Sequence, residues 1–281
     1  MKRKLLCLLI LGVLMCAAAG TASASFFAQF IDVGAGDCTL LIADGETMLV
    51  DTGPETALRS VTEALQAKNI EKIDTLVITH PHRDHAGNLQ DVLRMLPVGR
   101  GCVTGEDDSK EGAETEQVIL KAGYEPVRLY RGDRFTFGSG VVTVLWPEKG
   151  SMPISLNDRS AVMRIVWHGF SLLLAGDAEN GAEACMLRGA ADMELKSDML
   201  RVGHHGMETA TSWPFAQAVG ANYAVISCGE PTAARPHLSP VTEETLRNAG
   251  AAAVLSTLHN GNIRLEIGDD RRLTITAERT E

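Results

Sequence analysis

Residues 79–85 read THPHRDH. Three imidazoles, His80, His82 and His85, and one carboxylate, Asp84, fall within six positions. The run before them, Thr75–Thr79, is apolar and β-branched and reads as a short buried strand. The chain therefore leaves a strand as the histidines arrive, and in a turn their side chains can converge instead of alternating between two faces. His80 and His82 can point one way, Asp84 and His85 another. That arrangement suits two metal ions sharing one loop, and imidazole with carboxylate is the donor set that zinc and manganese accept.

Outward from this loop, strands and helices alternate. Phe27–Val33, Thr39–Ala43 and Thr47–Val50 read as strands, the last two joined by a hairpin turn at Asp44-Gly45. Thr56–Lys68 places Ala57, Val61, Ala64 and Leu65 on one helical face. Asn88–Leu96 reads as a helix stopped by Pro97. The acidic, polar stretch Thr104–Glu116 reads as an exposed loop leading to a short helix. Val141–Trp146, Ala161–Val166 and Ser171–Ala175 are further strands, with a turn at His168-Gly169. Helices follow at Ala178–Arg188, Trp213–Val219 and Val241–Ala249, with a strand between each and the next.

The central motif has an echo. DTLVITHPH (74–82) is matched by DMLRVGHHG (198–206), each an Asp, a short apolar strand and a histidine at its end, with His80 opposite His204. Upstream, Asp51 ends one strand in LVDTG and Asp177 another in LLLAGDAE. The Asp-to-His separations, 29 and 27 residues, are nearly equal. Two related halves would each bring an Asp and a His to one sheet edge, where α/β folds gather their sites. Of eight histidines, six lie in three clusters: His80, His82 and His85; His204 and His205; and His237.

The chain has 281 residues, 45% hydrophobic and 22% charged, a globular balance that argues against disorder, collagen and a multi-span membrane protein. Net charge is −10, from 26 Lys+Arg against 36 Asp+Glu, which argues against a passive nucleic-acid binder with a basic face. It leaves room for an enzyme that meets nucleic acid through metal ions. With 5% aromatics, no stacking platform for single strands is evident. Lys2, Arg3 and Lys4, the apolar run Leu5–Ala19 and the small residues Ala22-Ser23-Ala24 make the pattern of a secretory signal peptide. Residues 1–24 are thus expected to be removed, leaving 25–281 as one extracytoplasmic domain; an uncleaved anchor would be its only membrane contact. Cleavage removes three positive charges and no negative one, taking the net charge from −10 to −13. Cys7 and Cys16 leave with the signal. Cys38, Cys102, Cys185 and Cys228 are widely spaced without a CxxC pair, and read as small buried residues or, in an oxidising compartment, as disulfide partners.

HxHxDH, with Asp51 in LVDTG before it, resembles the metallo-β-lactamase superfamily. DVGAGDC (32–38), THPHRDHAGN (79–88), NDRS (157–160), LLLAGDAE (172–179), RVGHHG (201–206) and HLSP (237–240) follow the order of the extracellular hydrolase domain of ComEC-type competence proteins, over roughly residues 27–276. The resemblance implies an α/β (α+β) fold, a four-layer αββα sandwich, with the site where the strand ends of both halves meet. It implies two divalent cations, zinc or manganese. His80 and His82 would bind the first, Asp84 and His85 the second, and Asp177 would bridge both. His205 would complete the second, with His204 as the alternative. Asp177 also reads as an N-cap for the helix from Ala178. Asn157 stands 20 residues before Asp177, where many members carry a third histidine. As a weak neutral ligand it argues against tight zinc binding at the first site and leaves room for manganese, or it contacts substrate. Asp51 and Asp37 would orient ligands from behind, Asp37 beside a tight turn at Gly34 and Gly36. The catalytic candidates are Asp84, His204 and His237; an imidazole free of metal can donate a proton or hold a substrate oxygen. His168 and His259, at expected hairpin turns, read as non-catalytic.

The implied activity is metal-dependent hydrolysis of a phosphodiester, with single-stranded DNA among the candidate substrates and no stable nucleic-acid partner. Asp177 stands where dinuclear β-lactamases place a cysteine, which argues against antibiotic hydrolysis. Hydrolysis of a carboxylic ester, thioester or lactone is the alternative on the same fold. A non-catalytic metal-binding module related to competence proteins is the other, and the intact set His80, His82, Asp84, His85, Asp177 and His205 argues against it.

Overall fold

The computed structural model describes residues 25–151, 155–189, 195–230 and 238–280. The expected signal segment 1–24 and His237 lie outside the described residues. Strand β1 (Phe26–Phe30) pairs antiparallel with β2 (Thr39–Ala43), and β2 with β3 (Glu46–Val50). Asp44 and Gly45 between β2 and β3 both have positive φ, the hairpin geometry that follows strand twist. Helix α1 (Leu58–Ala67) then crosses to β4 (Ile73–Ile78), laid parallel to β3. Short helices α2 (Arg83–Ala86) and α3 (Leu89–Met95) lead to β5 (Val98–Thr104), and α4 (Lys110–Lys121) to β6 (Pro126–Leu129), each again parallel. Parallel pairing requires such crossovers, and they put helices on the sheet's outer face.

The second half repeats the plan. Strands β7 (Arg134–Phe137), β8 (Gly140–Trp146), β9 (Val162–Trp167) and β10 (Phe170–Leu174) form an antiparallel meander. Helix α5 (Asn180–Gly189), β11 (Met199–Arg201), α6 (Trp213–Val219), β12 (Tyr223–Ile226), α7 (Pro240–Asn248) and β13 (Ala253–Ser256) add three parallel strands. A single helical turn, α8 (Thr257–Asn260), returns the chain to the first sheet as β14 (Ile263–Ile267) and β15 (Leu273–Ala277). The strand orders are β15-β14-β1-β2-β3-β4-β5-β6 and β13-β12-β11-β10-β9-β8-β7.

Three apolar clusters define four layers. Phe26, Phe30, Leu41 and Met48 of the first sheet meet Val144, Met163, Trp167 and Leu172 of the second between the sheets. The first sheet's outer face, with Leu40, Leu49 and Leu76, packs on Val61 and Leu65 of α1, Val92 of α3 and Ile119 of α4. The second sheet's outer face, with Leu173, Leu200 and Ala224, packs on Ala182 and Met186 of α5, Phe215 of α6 and Leu246 of α7. This is the expected αββα sandwich. The internal echo is structural too. Asp74, opening β4, accepts the Thr47 N–H at 2.9 Å, and Asp198, before β11, accepts that of Ser171 at 2.8 Å.

Several local expectations are corrected. Asn260-Gly261 is not a hairpin turn; β13 and β14 belong to different sheets, and α8 links them. Half of the acidic stretch is helical, because Ser109 caps α4 by accepting the Gly112 N–H at 2.9 Å. Asp177 does not cap α5: Asp158 Oδ1 instead accepts the N–H groups of Glu179 and Ala182, at 2.9 and 3.1 Å. The four cysteines of the described residues are free thiols, three of them buried.

Candidate metal centre

The site forms where β3, β4, β10 and β11 end. Asp51 follows β3 in the left-handed region, φ 60°, and is fully buried. Its Oδ1 accepts the Thr79 N–H and its Oδ2 the Thr79 hydroxyl, each at 2.8 Å; Oδ2 also lies 2.8 Å from His85 Nδ1. His85 is thereby turned so that Nε2 faces outward from the first sheet. From the second sheet, His205 Nδ1 lies 2.9 Å from the Ser227 carbonyl oxygen, which fixes that ring and turns its Nε2 toward Asp177. The two Nε2 atoms stand 3.4 Å apart.

Asp177 Oδ2 is the point on which they converge. It lies 3.2 Å from His85 Nε2, 3.3 Å from His205 Nε2 and 3.7 Å from His80 Nε2. His82 reaches the group through its Nδ1, 3.0 Å from His80 Nε2. Asp84 Oδ2 lies 3.7 Å from His205 Nε2. The ligand atoms of His80, His85 and Asp177 lie within 4.8 Å of one another, as do those of Asp84, His85 and His205. Asp177 Oδ1 is buried without a hydrogen-bond partner. So His80, His82, Asp84, His85, Asp177 and His205 are brought together, with His85 and Asp177 at the centre.

The charges follow from this geometry. Burial works against the Asp177 anion, but His205 and His85 outweigh it and hold the carboxyl well below its usual range. Burial likewise works against the imidazolium of His205, yet Asp177 raises it to about 9. His85, against the same burial, is held well above the usual imidazole range by Asp177 and Asp51. His80 goes the other way: burial and the neighbouring His85 push it well below. Burial also raises Asp84, but His205 and His85 bring it below the usual carboxylate range.

His204 stands beside this cluster. Its Nδ1 is 2.7 Å from Thr209 Oγ1 and 3.1 Å from Glu179 Oε1, and Asn157 Nδ2 lies 3.2 Å from its Nε2. Asn157 is thus placed against His204, with its Oδ1 buried and unpartnered. Burial lowers His204 from the ordinary imidazole range, with Asp177 opposing. His204 and His205 both have positive φ, 44° and 54°, which sends adjacent rings to different partners. His168 donates to or accepts from Ser139 at 2.8 Å in its turn, at the opposite end of β10 from Asp177.

The sequence reading did not single out Arg201, which is fully buried at the end of β11. Its Nη2 lies 2.8 Å from Asp37 Oδ2 and its Nη1 donates to the Gly176 carbonyl at 2.6 Å, 3.8 Å from Asp177 Oδ1. The available signal was a charged residue closing an apolar strand in MLRV. Glu179 and Thr209 were missed as well, and so was the Ser227 carbonyl, for which no side-chain pattern exists.

Charged and polar atoms converging in a dry site need compensation. Ring nitrogens with their other nitrogen held by a carboxylate or carbonyl are oriented as metal ligands are, and the unpartnered Asp177 Oδ1 leaves acceptor capacity. The donor set fits divalent cations of the zinc or manganese type.

Comparison with known proteins agrees. The family described as the Metallo-beta-lactamase superfamily matches residues 31–229. ComE operon protein 3 of Bacillus subtilis is 28% identical over 261 residues, covering 84% of this chain and 32% of that protein. Recombination protein 2 of Haemophilus influenzae is 30% identical over 257 residues, covering 89% and 30%. The chain thus spans about a third of these relatives' length. The solved metallo-β-lactamase fold protein YhfI of Bacillus subtilis superposes with a TM-score of 0.54 at 14% identity, over 86% of this chain and 99% of that one, a likeness of fold.

Proposed function

The chain belongs to the metallo-β-lactamase superfamily, and from that premise we propose that it is a secreted, dinuclear metal-dependent phosphodiesterase, with DNA as the substrate class to test first. The observation that carries this reading is the convergence of three imidazole Nε2 atoms on Asp177 Oδ2. Two divalent cations bound there would supply Lewis acidity and acidify a water, the chemistry that hydrolysis of a phosphodiester requires. The chain's own residues do the rest. Asp51 and the Ser227 carbonyl hold the His85 and His205 rings in one tautomer. His204, partly exposed and held by Glu179 and Thr209, would hold a substrate oxygen or donate a proton to it. Asn157, beside His204, would contact a phosphoryl oxygen. A relative named for recombination supports DNA over a smaller phosphoester. The signal-like segment 1–24 supports an extracytoplasmic location, and no described helix is long and apolar enough to cross a membrane.

The test is cleavage of bis-p-nitrophenyl phosphate by residues 25–281 loaded with manganese or zinc, with Asp84→Ala in parallel and labelled single-stranded DNA next. Turnover that disappears in Asp84→Ala is expected. No turnover with two bound ions per chain would overturn the reading, and a panel of esters, thioesters and lactones would then separate carbonyl hydrolysis from a non-catalytic role.

A further inference from the structure

Arg201 and Asp37 lie behind the candidate ligands and come from different sheets. Asp37 sits on the loop between β1 and β2, and Arg201 ends β11. On the first side, the Asp37 N–H donates to the Asp84 carbonyl at 3.1 Å, and the Asp37 carbonyl accepts the Gly53 N–H at 2.8 Å. On the second side, Arg201 Nη1 donates to the Gly176 carbonyl, the oxygen of the peptide unit that leads into Asp177. The N–H of that same unit donates to Ser160 Oγ at 2.9 Å. Gly176 O also accepts the His204 N–H at 3.2 Å. A continuous path therefore runs from the Asp84 backbone through Asp37 and Arg201 to the backbone that carries Asp177 and His204.

Stability does not explain this pair. The attraction within a buried ion pair roughly offsets the desolvation of its two charges, and an apolar pair would serve as well. The pair also leaves Asp37 Oδ1 and Arg201 Nε and Nη2 buried without a hydrogen-bond partner. What an apolar pair could not do is hold one planar cation against a carboxylate of the first half and, through a hydrogen bond, a carbonyl of the second.

We propose that the buried Arg201–Asp37 ion pair is the positioning element that sets the distance between the metal-binding groups of the first sheet, Asp84 and His85, and those of the second, Asp177 and His205. Neither residue touches substrate; both act through the backbone of the ligands. The role rests on Asp177 being a ligand shared by two ions, and the experiment separates the two questions.

Manganese titration with electron paramagnetic resonance on residues 25–281 reads both stoichiometry and ion spacing. The wild-type chain is expected to bind two Mn2+ with an exchange-coupled signal; failure there would sink the dinuclear reading itself and leave the ion pair with nothing to position. The double variant Asp37→Asn/Arg201→Met removes both charges together, so no orphan ion is buried. It is expected to keep its circular dichroism spectrum, lose about 10- to 100-fold in affinity for the second Mn2+ and show an uncoupled six-line signal for the first. A coupled pair bound as in wild type would overturn the proposal. Should the double variant fail to fold, Arg201→Lys carries the test. Its single ammonium cannot span Asp37 and Gly176 as the fork does, so weaker second-ion binding is expected, and unchanged affinity and coupling would overturn it.

Discussion

At the residue scale, Asp51 shows how a single carboxylate assembles a site. It spends one oxygen on the Thr79 backbone and the other on His85 and the Thr79 hydroxyl. Asp51→Ala removes one partner of a buried hydrogen-bonded pair, so a loss of about 3–5 kcal/mol is expected in urea denaturation of the metal-free chain. Zinc affinity should fall about 10- to 100-fold in chelator competition; unchanged affinity would show that His85 needs no such support. His205 gives a pH dependence. Burial disfavours its imidazolium, but Asp177 raises it to about 9. The stability from the protonated ring is fully present below the unfolded imidazole value of about 6.5 and is lost as pH rises through the folded value. The metal-free chain should therefore melt at progressively lower temperature from about pH 6.5 to 9. Cation affinity should rise over the same interval, because ligation needs the deprotonated ring. A melting temperature that climbs across this window would contradict the His205–Asp177 pairing.

At the element scale, the loops after the strands matter more than the strands. The turn containing Gly36 packs so closely on α2 that a Cβ at Gly36 would collide with the Asp84 carbonyl oxygen and lie 2.7 Å from Pro54 Cδ. Gly36→Ala forces that contact apart, and overpacking of this kind costs about 1–3 kcal/mol. Because the displaced group is the backbone of Asp84, the same variant should weaken metal binding. Ser109→Ala is the contrasting case. It removes the α4 cap, worth about 1 kcal/mol, and should leave metal affinity as it was. Calorimetry and manganese titration on both variants check the pair of expectations, and equal effects on metal binding would refute the argument.

At the scale of the whole molecule, the candidate ligands are divided between two sheets: His80, His82, Asp84 and His85 follow β4, while Asp177 and His205 follow β10 and β11. Cations held between them would act as a clasp on the sandwich edge. Ligand that binds only the folded state adds about 4 kcal/mol at a thousandfold excess over Kd. Chelation should therefore lower the melting temperature markedly, and restoring manganese or zinc should recover it; a melting curve indifferent to chelator would argue that no structural clasp exists.

Much of this was written in the chain. Local chemistry marks a hairpin at Asp44-Gly45, a Pro97 stop, and alternating strands and helices, and a dense HxHxDH after a strand marks the site. Such features depend on neighbours in sequence, where periodicity and turn chemistry act directly. Other assignments needed residues far apart. Asp158, from the turn between β8 and β9, caps α5, which releases Asp177 from the capping role its position suggested. The one-turn helix after β13 reads locally as a hairpin turn, yet it carries the chain between sheets. Which of His204 and His205 faces Asp177 is set by two left-handed residues, which turn His205 to the Ser227 carbonyl and Asp177, and His204 to Thr209 and Glu179. Arg201 acquires meaning only when Asp37 arrives from the other sheet. Sequence by itself determined which donors exist and that they gather at strand ends; tertiary structure decided which atoms meet, because a buried charge takes whichever partner the packing of two sheets brings within hydrogen-bonding reach.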